Sequence, residues 1–451
     1  MSQASHQGGA TGVAAPPVAA TTTTAPPTPP AATTPVRSGQ ATPSPASPAS
    51  GVKSMDTPQR LRLLSLGVVV ACVVVALVGG LIFSYLAFSL SRAKADTAQL
   101  IRIQKIQSNL LSADATATNA FLVGGLEPPA QRAVYDQALS STSALIVEAA
   151  QAQPADAAAL SALNEQVVSY AATIEQARAN NRQGLPVGAQ YLRNASADLR
   201  STALPILDNL VSSNAARAAD EMDAGVGYVF PVISLLALVG VIVGQIWLAR
   251  RFKRRINVGM LASAAVLLVL TAGGLIAARQ LSSTLSSISN GSFAAVNNAA
   301  DARIDANNAK SNESLTLIAR GSGQAFENAW KVSADSAAGN LQGLSERPEL
   351  VTQWQAYTDV HGKIRDLDDG GRWDRAVALA TGSAPDSSNT VFGTFDRNLA
   401  GYLDEVSQDA SSSLADEQPA MVVGAILILL GGLAAALLGR WGVAARLKEY
   451  R

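Results

Sequence analysis

Among 451 residues the chain has one cysteine, Cys72, and two histidines, His6 and His361. A lone cysteine excludes an internal disulfide, and one histidine beyond the first 60 residues leaves too few soft donors for a transition-metal site within the chain. A histidine-based triad would have to rest on His361. That residue lies instead in a stripe at helical spacing, Trp354, Tyr357, His361, Ile364 and Leu367, and reads as a core or interface histidine. Gly321-Ser322-Gly323 has no third glycine, no Walker lysine and no preceding strand, so no nucleotide loop is implied. Asp366, Asp368 and Gly371 fill the first, third and sixth places of a calcium loop. Gly370 stands at the fifth place, however, and Val377 at the twelfth, where a bidentate Glu is needed; the stretch reads as a helix C-cap and turn. Strand alternation is not sustained anywhere. No enzymatic activity, cofactor, metal or nucleic-acid partner is expected.

Charge is what four long segments lack: Leu63 to Ser91, Ala224 to Ala249, Ile256 to Ala278 and Gln418 to Gly439. Each can cross the roughly 30 Å core of a bilayer as a helix, which takes about 20 residues. Apart from the phenols Tyr85 and Tyr228 and the Cys72 thiol, their interiors hold no ionisable group, which argues against an ion or proton pathway and hence against a transporter. They carry small residues. Gly240-Val241-Ile242-Val243-Gly244 is a close-packing motif, supported by Gly79-Gly80, Gly273-Gly274 and Gly431-Gly432, and is compatible with a homodimer. Val69-Val70-Ala71-Cys72 has the outline of a lipoprotein cleavage box, but the apolar run continues well past Cys72, which reads as a small buried residue.

The second and third apolar segments are joined only by Arg250-Arg251-Phe252-Lys253-Arg254-Arg255. Lys and Arg beside spans are retained on the cytoplasmic side, so this loop is expected inside, with both termini inside and both large polar segments outside a plasma membrane. Arg92, Lys94, Arg102 and Lys105 after the first span oppose that reading locally; the short loop decides. The inside pieces then hold 13 Lys and Arg against 2 Asp and Glu, and the outside pieces 21 against 32. A net charge of zero thus conceals a steep asymmetry. Arg250, Arg251, Lys253, Arg254 and Arg255 serve as a topology determinant binding anionic lipid headgroups, or as a docking site for a cytoplasmic protein.

The expected organisation is a disordered cytoplasmic Pro/Thr/Ala-rich tail over 1–60, spans at 63–90, 224–249, 256–278 and 418–439, extracytoplasmic helical bundles at 91–223 and 279–417, the loop 250–255 and a tail 440–451. The first tail holds 11 of the 20 prolines and cannot bury enough apolar surface to offset its ordering entropy. Leu81 to Val123 has neither Gly nor Pro, so the first span should continue outward unbroken for about 50 Å past Leu90. Helices follow over about 130–152, from Pro154 to about 184, and from Val187 back to the membrane, with Pro205 a candidate kink. The second segment repeats the plan, with a helix from Ser292 to Arg320, a glycine break, the aromatic stripe, a helix starting at Trp373, and a last one from Asn389 into the fourth span. Gly225, Gly227 and Pro231 gather where the first bundle enters the second span and are the candidate hinge.

A membrane-flanked helical bundle resembles the sensor modules of chemoreceptors and histidine kinases, and Ala115 to Gly125 is similar to the first-helix end of those bundles. Both of those classes have a large cytoplasmic output domain, which is not expected here, where the inside pieces read as a tail, a six-residue loop and about a dozen last residues. Tandem bundles of this kind, with Tyr357 to Thr381, resemble the GlnX family of four-span actinobacterial proteins. That resemblance covers about residues 60 to 445. It implies a sensor that passes a signal from a periplasmic solute-binding lipoprotein for acidic amino acids, GlnH, to a cytoplasmic Ser/Thr kinase, PknG, and it carries over no ligand-binding residue. The expectation is an all-α integral membrane sensor, with a cell-envelope scaffold and a transporter subunit as the competing classes.

Overall fold

In the computed structural model residues 57–123, 127–222, 225–252 and 257–447 are described; most of the expected N-terminal tail, and Lys253, Arg254 and Arg255 of the basic loop, lie outside them. Twelve α-helices and no strand occur among these residues: α1 Thr57–Val123, α2 Pro129–Ala152, α3 Ala157–Arg182, α4 Val187–Asp198, α5 Leu204–Glu221, α6 Val229–Phe252, α7 Val258–Asn290, α8 Ser292–Ile318, α9 Gln324–Gln342, α10 Pro348–Asp369, α11 Trp373–Thr381 and α12 Ser388–Leu447. Four rods are long and apolar enough to cross a membrane, and the chain is an all-α membrane protein. α1 is continuous over 67 residues, as the absence of Gly and Pro beyond Leu81 leads one to expect. It begins at Thr57, inside the expected tail, because Pro58 is suited to a first helical turn.

The spans of α1, α6, α7 and α12 pack around Phe230, which is fully buried and meets Phe83 edge to face at 5.7 Å. Glycine makes room for its ring. A Cβ at Gly274 would lie 2.3 Å from Phe230, and one at Gly79 2.5 Å. Gly432 and Ala76 bring α12 against α1, and Gly259 and Gly442 bring α7 against α12. There Asn257 caps α7 and its Nδ2 donates to the Gly442 carbonyl at 2.8 Å. The close-packing pair expected at Gly240 and Gly244 divides. Gly244 packs on Leu64 and Met260, whereas a Cβ at Gly240, one turn earlier, would meet open space.

Beyond the spans, α1, α2, α3 and the α4–α5 rod enclose one apolar core that includes Leu110, Tyr135, Leu163, Ile174 and Leu207. The rod carries a π turn at Leu199–Ala203, two residues before Pro205; the widened turn accommodates a residue that cannot donate to the helix ladder. The second half is built on α8 to α11 and the outer part of α12, around Trp354, Tyr357, Phe392 and Phe395. The halves are not separate. α1 packs on α8 and α12 as well as on α2 and α5, giving Ile101 to the aromatic core and Leu122 to a cluster with Leu317 and Ile364. α8 is a polar helix, yet it is buried nearly all round, and its alanines Ala299, Ala302, Ala306 and Ala309 let its neighbours approach.

Candidate sensory site

α1 is tied to the first half at three heights. Nearest the spans, the Glu221 carboxylate at the end of α5 accepts from Ser89 Oγ and from Arg92, whose Nη2 lies 2.9 Å away. Higher, the buried Asp156 accepts from Gln99 Nε2 at 3.1 Å, Asn214 Nδ2 at 2.8 Å and Arg217 Nη2 at 2.9 Å. Higher still is Asp114, fully buried. Its Oδ1 accepts from Ser196 Oγ at 2.6 Å and Tyr170 Oη at 3.3 Å, and its Oδ2 from Ser311 Oγ at 2.7 Å. Arg200 Nη2 is 3.0 Å from Oδ2 but off the hydrogen-bond line, so it supplies charge more than a directed bond. One carboxylate on the membrane-connected helix therefore gathers donors from α3, α4, the π turn and, across the molecule, α8. A buried anion is tolerable only with such a donor set.

About one turn beyond Asp114 a cavity of about 360 Å³ opens between α1, α2, α3 and α4. Its floor is small and apolar, with Ala117, Ala120, Ala177, Ile174 and Leu192, and its rim carries Glu127, Arg132, Arg178 and Arg182. Glu127 pairs with Arg178 at 3.0 Å.

α1 is also wired to the second half. Lys105 Nζ reaches Asp404 at 2.6 Å, and Gln104 Nε2 donates to Asn297 at 2.9 Å. Arg303 donates to Ser108 at 2.8 Å while its Nε holds Asp396 at 2.8 Å. Burial raises the Asp396 carboxyl, but Arg303 and Asn307 outweigh it and hold the group below the usual carboxylate range.

The second half has its own buried charge cluster. His361 lies flat on Trp330 at 3.6 Å, with Nδ1 3.1 Å from Glu313 and Nε2 3.2 Å from Glu327. Carboxylates only accept, so both ring nitrogens donate and the ring is an imidazolium. Burial alone would lower the His361 pKa; the bonds to Glu313 and Glu327 overcome it and raise the value. Glu313 also takes Lys310 Nζ and Ser388 Oγ, each at 2.7 Å. Burial pushes the Glu313 carboxyl up, but Lys310 and His361 together bring it down to about 2. The histidine is a core histidine, and neither of its nitrogens is left for a serine hydroxyl.

The residues singled out from sequence lie elsewhere. Gly225–Tyr228 forms a 3-10 turn, and Gly227 is buried against Leu86 and Ala278. Pro231 sits within the first turn of α6, where proline is tolerated. Arg250 and Arg251 are exposed at the last turn of α6. Asp368 is taken by Arg365 at 2.7 Å and Gly371, at φ 70°, ends α10 in a left-handed turn, as expected of a C-cap. Sequence reasoning missed Asp114, Asp156, Lys310 and Glu313. Each is a single polar residue beside an apolar helical stripe, a signal too common to be noticed without its partners.

Residues 89–223 match the family model of the actinobacterial sensor domain. The interval opens at Ser89 and closes just past Glu221, the pair that clasps the base of the first half, and it holds Asp114, Asp156 and the cavity. No curated protein and no solved structure matches the chain. The matched domain gives the protein a sensing and signalling role in a membrane.

Proposed function

We propose that the protein is a transmembrane signal transmitter whose polar head lies outside the plasma membrane and whose basic loop and termini lie in the cytoplasm. The supporting observation for transmission is α1, unbroken from the span to the tip of the head and clamped by Glu221, Asp156 and Asp114. A shift of α3 and α4 by an ångström or two would be felt by α1 along its whole length, and the 3-10 turn at Gly225–Tyr228 passes the same motion to α6 and the loop. The positive-inside bias supports the orientation. The resemblance to the GlnX family supports a loaded solute-binding lipoprotein, carrying an acidic amino acid, as the outer partner and a Ser/Thr kinase as the inner one. A partner shifts the equilibrium only if it binds the two arrangements unequally.

The hinge offers the test. The Cβ position of Gly227 is 3.6 Å from that of Ala278, within the range of a disulfide. With Cys72→Ala, Gly227→Cys and Ala278→Cys, crosslinked affinity capture from membranes is compared with the pair oxidised and reduced, with and without glutamate. A cytoplasmic kinase whose recovery changes with both variables supports transmission. Recovery that is the same in all four conditions rejects it and favours a scaffold.

A further inference from the structure

We propose that the cavity between α1, α2, α3 and α4 binds a small organic monocarboxylate, with its carboxylate on Arg182 and its apolar body on the alanine floor. The inference rests on the reading of the head as a sensor and names the ligand class of its first half.

The floor comes first. Ala117 and Ala120 on α1 face Ala177 on α3, and these three short side chains leave the volume, which Ile174, Leu192 and Phe121 close. A cavity of about 360 Å³ suits a molecule of a few to about a dozen heavy atoms, at the lower end of natural ligand sites. Apart from Asn181, whose Nδ2 already donates to the Phe121 carbonyl at 3.1 Å, its inner walls offer such a molecule apolar contact, so its body is hydrocarbon or aromatic.

The rim sets the charge. Arg132 is held by Asp136 at 3.0 Å and Glu175 at 2.9 Å, and Arg178 by Glu127 at 3.0 Å and Glu175 at 2.8 Å. Those two guanidiniums are satisfied by carboxylates already present. Arg182 is not: among the described residues no carboxylate pairs with it. It stands one turn after Arg178 on the same face of α3, at the mouth of the cavity. Its planar fork matches a carboxylate. One free guanidinium calls for one carboxylate. The tight pairing of Glu127 with Arg178 leaves no free acid for an amine on the ligand.

Position makes such a site consequential. Its floor residues on α1 lie one and two turns beyond Asp114, and Leu192 on α4 precedes Ser196, which donates to that same carboxylate. A bound molecule would brace α4 and α3 against α1 where they are already joined.

The full-length protein in neutral-lipid nanodiscs is titrated calorimetrically with hexanoate and benzoate, and with the uncharged hexanamide and benzamide. Saturable binding of at least one carboxylate is expected, with its amide weaker by about tenfold or more, the order of one charge-assisted hydrogen bond. Arg182→Gln, an exposed position where folding is not at stake, should bring carboxylate affinity down to that of the amide. Ala120→Leu should abolish binding by filling the floor. The assignment is overturned by no saturable binding of either carboxylate, by amides that bind equally well, or by an Arg182→Gln protein that binds undiminished. Failure here with a positive hinge-disulfide result removes the carboxylate site and leaves the transmitter; binding here with an inert hinge disulfide does the reverse.

Discussion

Raising the pH should loosen the second half of the head before any other part, and the His361 cluster sets both the window and the size of the effect. His361 donates to Glu313 and Glu327 only while protonated, and its pKa is raised above the ordinary 6.5 by those two acceptors against the opposing effect of burial. Between 6.5 and that raised value the folded head binds a proton the unfolded chain does not, so stability falls as pH rises. The full contribution is present below about 6.5 and gone once pH passes the folded value. On the acid side the sign reverses. Glu313, held at about 2 against an ordinary 4.5, contributes about 3 kcal/mol that is lost as pH falls through that interval. His361→Gln removes two charge-assisted bonds of about 1.5 to 3 kcal/mol each, less what is recovered because Lys310 and Ser388 still hold Glu313 and Arg365 still reaches Glu327. A net loss of about 3 kcal/mol at pH 6 follows, shrinking toward zero as the native ring deprotonates. Hydrogen exchange of α9 and α10 in the full-length protein, corrected for intrinsic rates, reads these opening energies locally. A native protein whose α10 opening energy does not fall between pH 6 and 9, or a His361→Gln protein with the same pH slope, would show that the ring is not an imidazolium clamp.

Three further outcomes are expected. Asp114→Asn and Ser311→Ala should show a coupling of about 1 to 2 kcal/mol in a double-mutant cycle of urea unfolding, since the pair joins the two halves through a buried carboxylate; additive losses would deny that link. Gly274→Ala places a methyl 2.3 Å from Phe230 and should destabilise the spans by about 1 to 3 kcal/mol, whereas Gly273→Ala, with open space around it, should be nearly silent; thermal unfolding in detergent with equal midpoints would contradict the packing around Phe230. A lone thiol at Lys253→Cys, in a Cys72→Ala background, should react with an impermeant maleimide only after cells are broken; labelling of intact cells would reverse the orientation.

Much of the architecture was legible because a membrane imposes long uncharged runs, and because Gly and Pro mark where rods end. Gly321 and Gly371, both at positive φ, stand where breaks were expected, and Leu81 to Val123 is helical throughout. What stayed hidden was which faces meet. α8 carries Asn307, Lys310, Ser311, Asn312 and Glu313 in close succession, yet all five are buried, with partners supplied by Asp114 of α1, His361 of α10, and Ser388 and Asp396 of α12. Burial of a polar residue depends on donors and acceptors far away in the chain, such as Ser388 for Glu313 or Asp114 for Ser311, and local periodicity carries no trace of them. The same holds for Gly240 and Gly244, whose spacing is alike in a contact face and in one open to lipid.

Because the outer part of α1 serves two cores at once, residues 89–223 are a poor unit for grafting onto another signalling chain. Cut free, that segment would show water the faces of Ile101 and Leu122 that now rest on α8, α10 and α12, and would strip Asp114 of one of its hydroxyl donors. A chimera that keeps its native shape has to carry both polar segments together, and recombination between related chains is expected to exchange them as a pair.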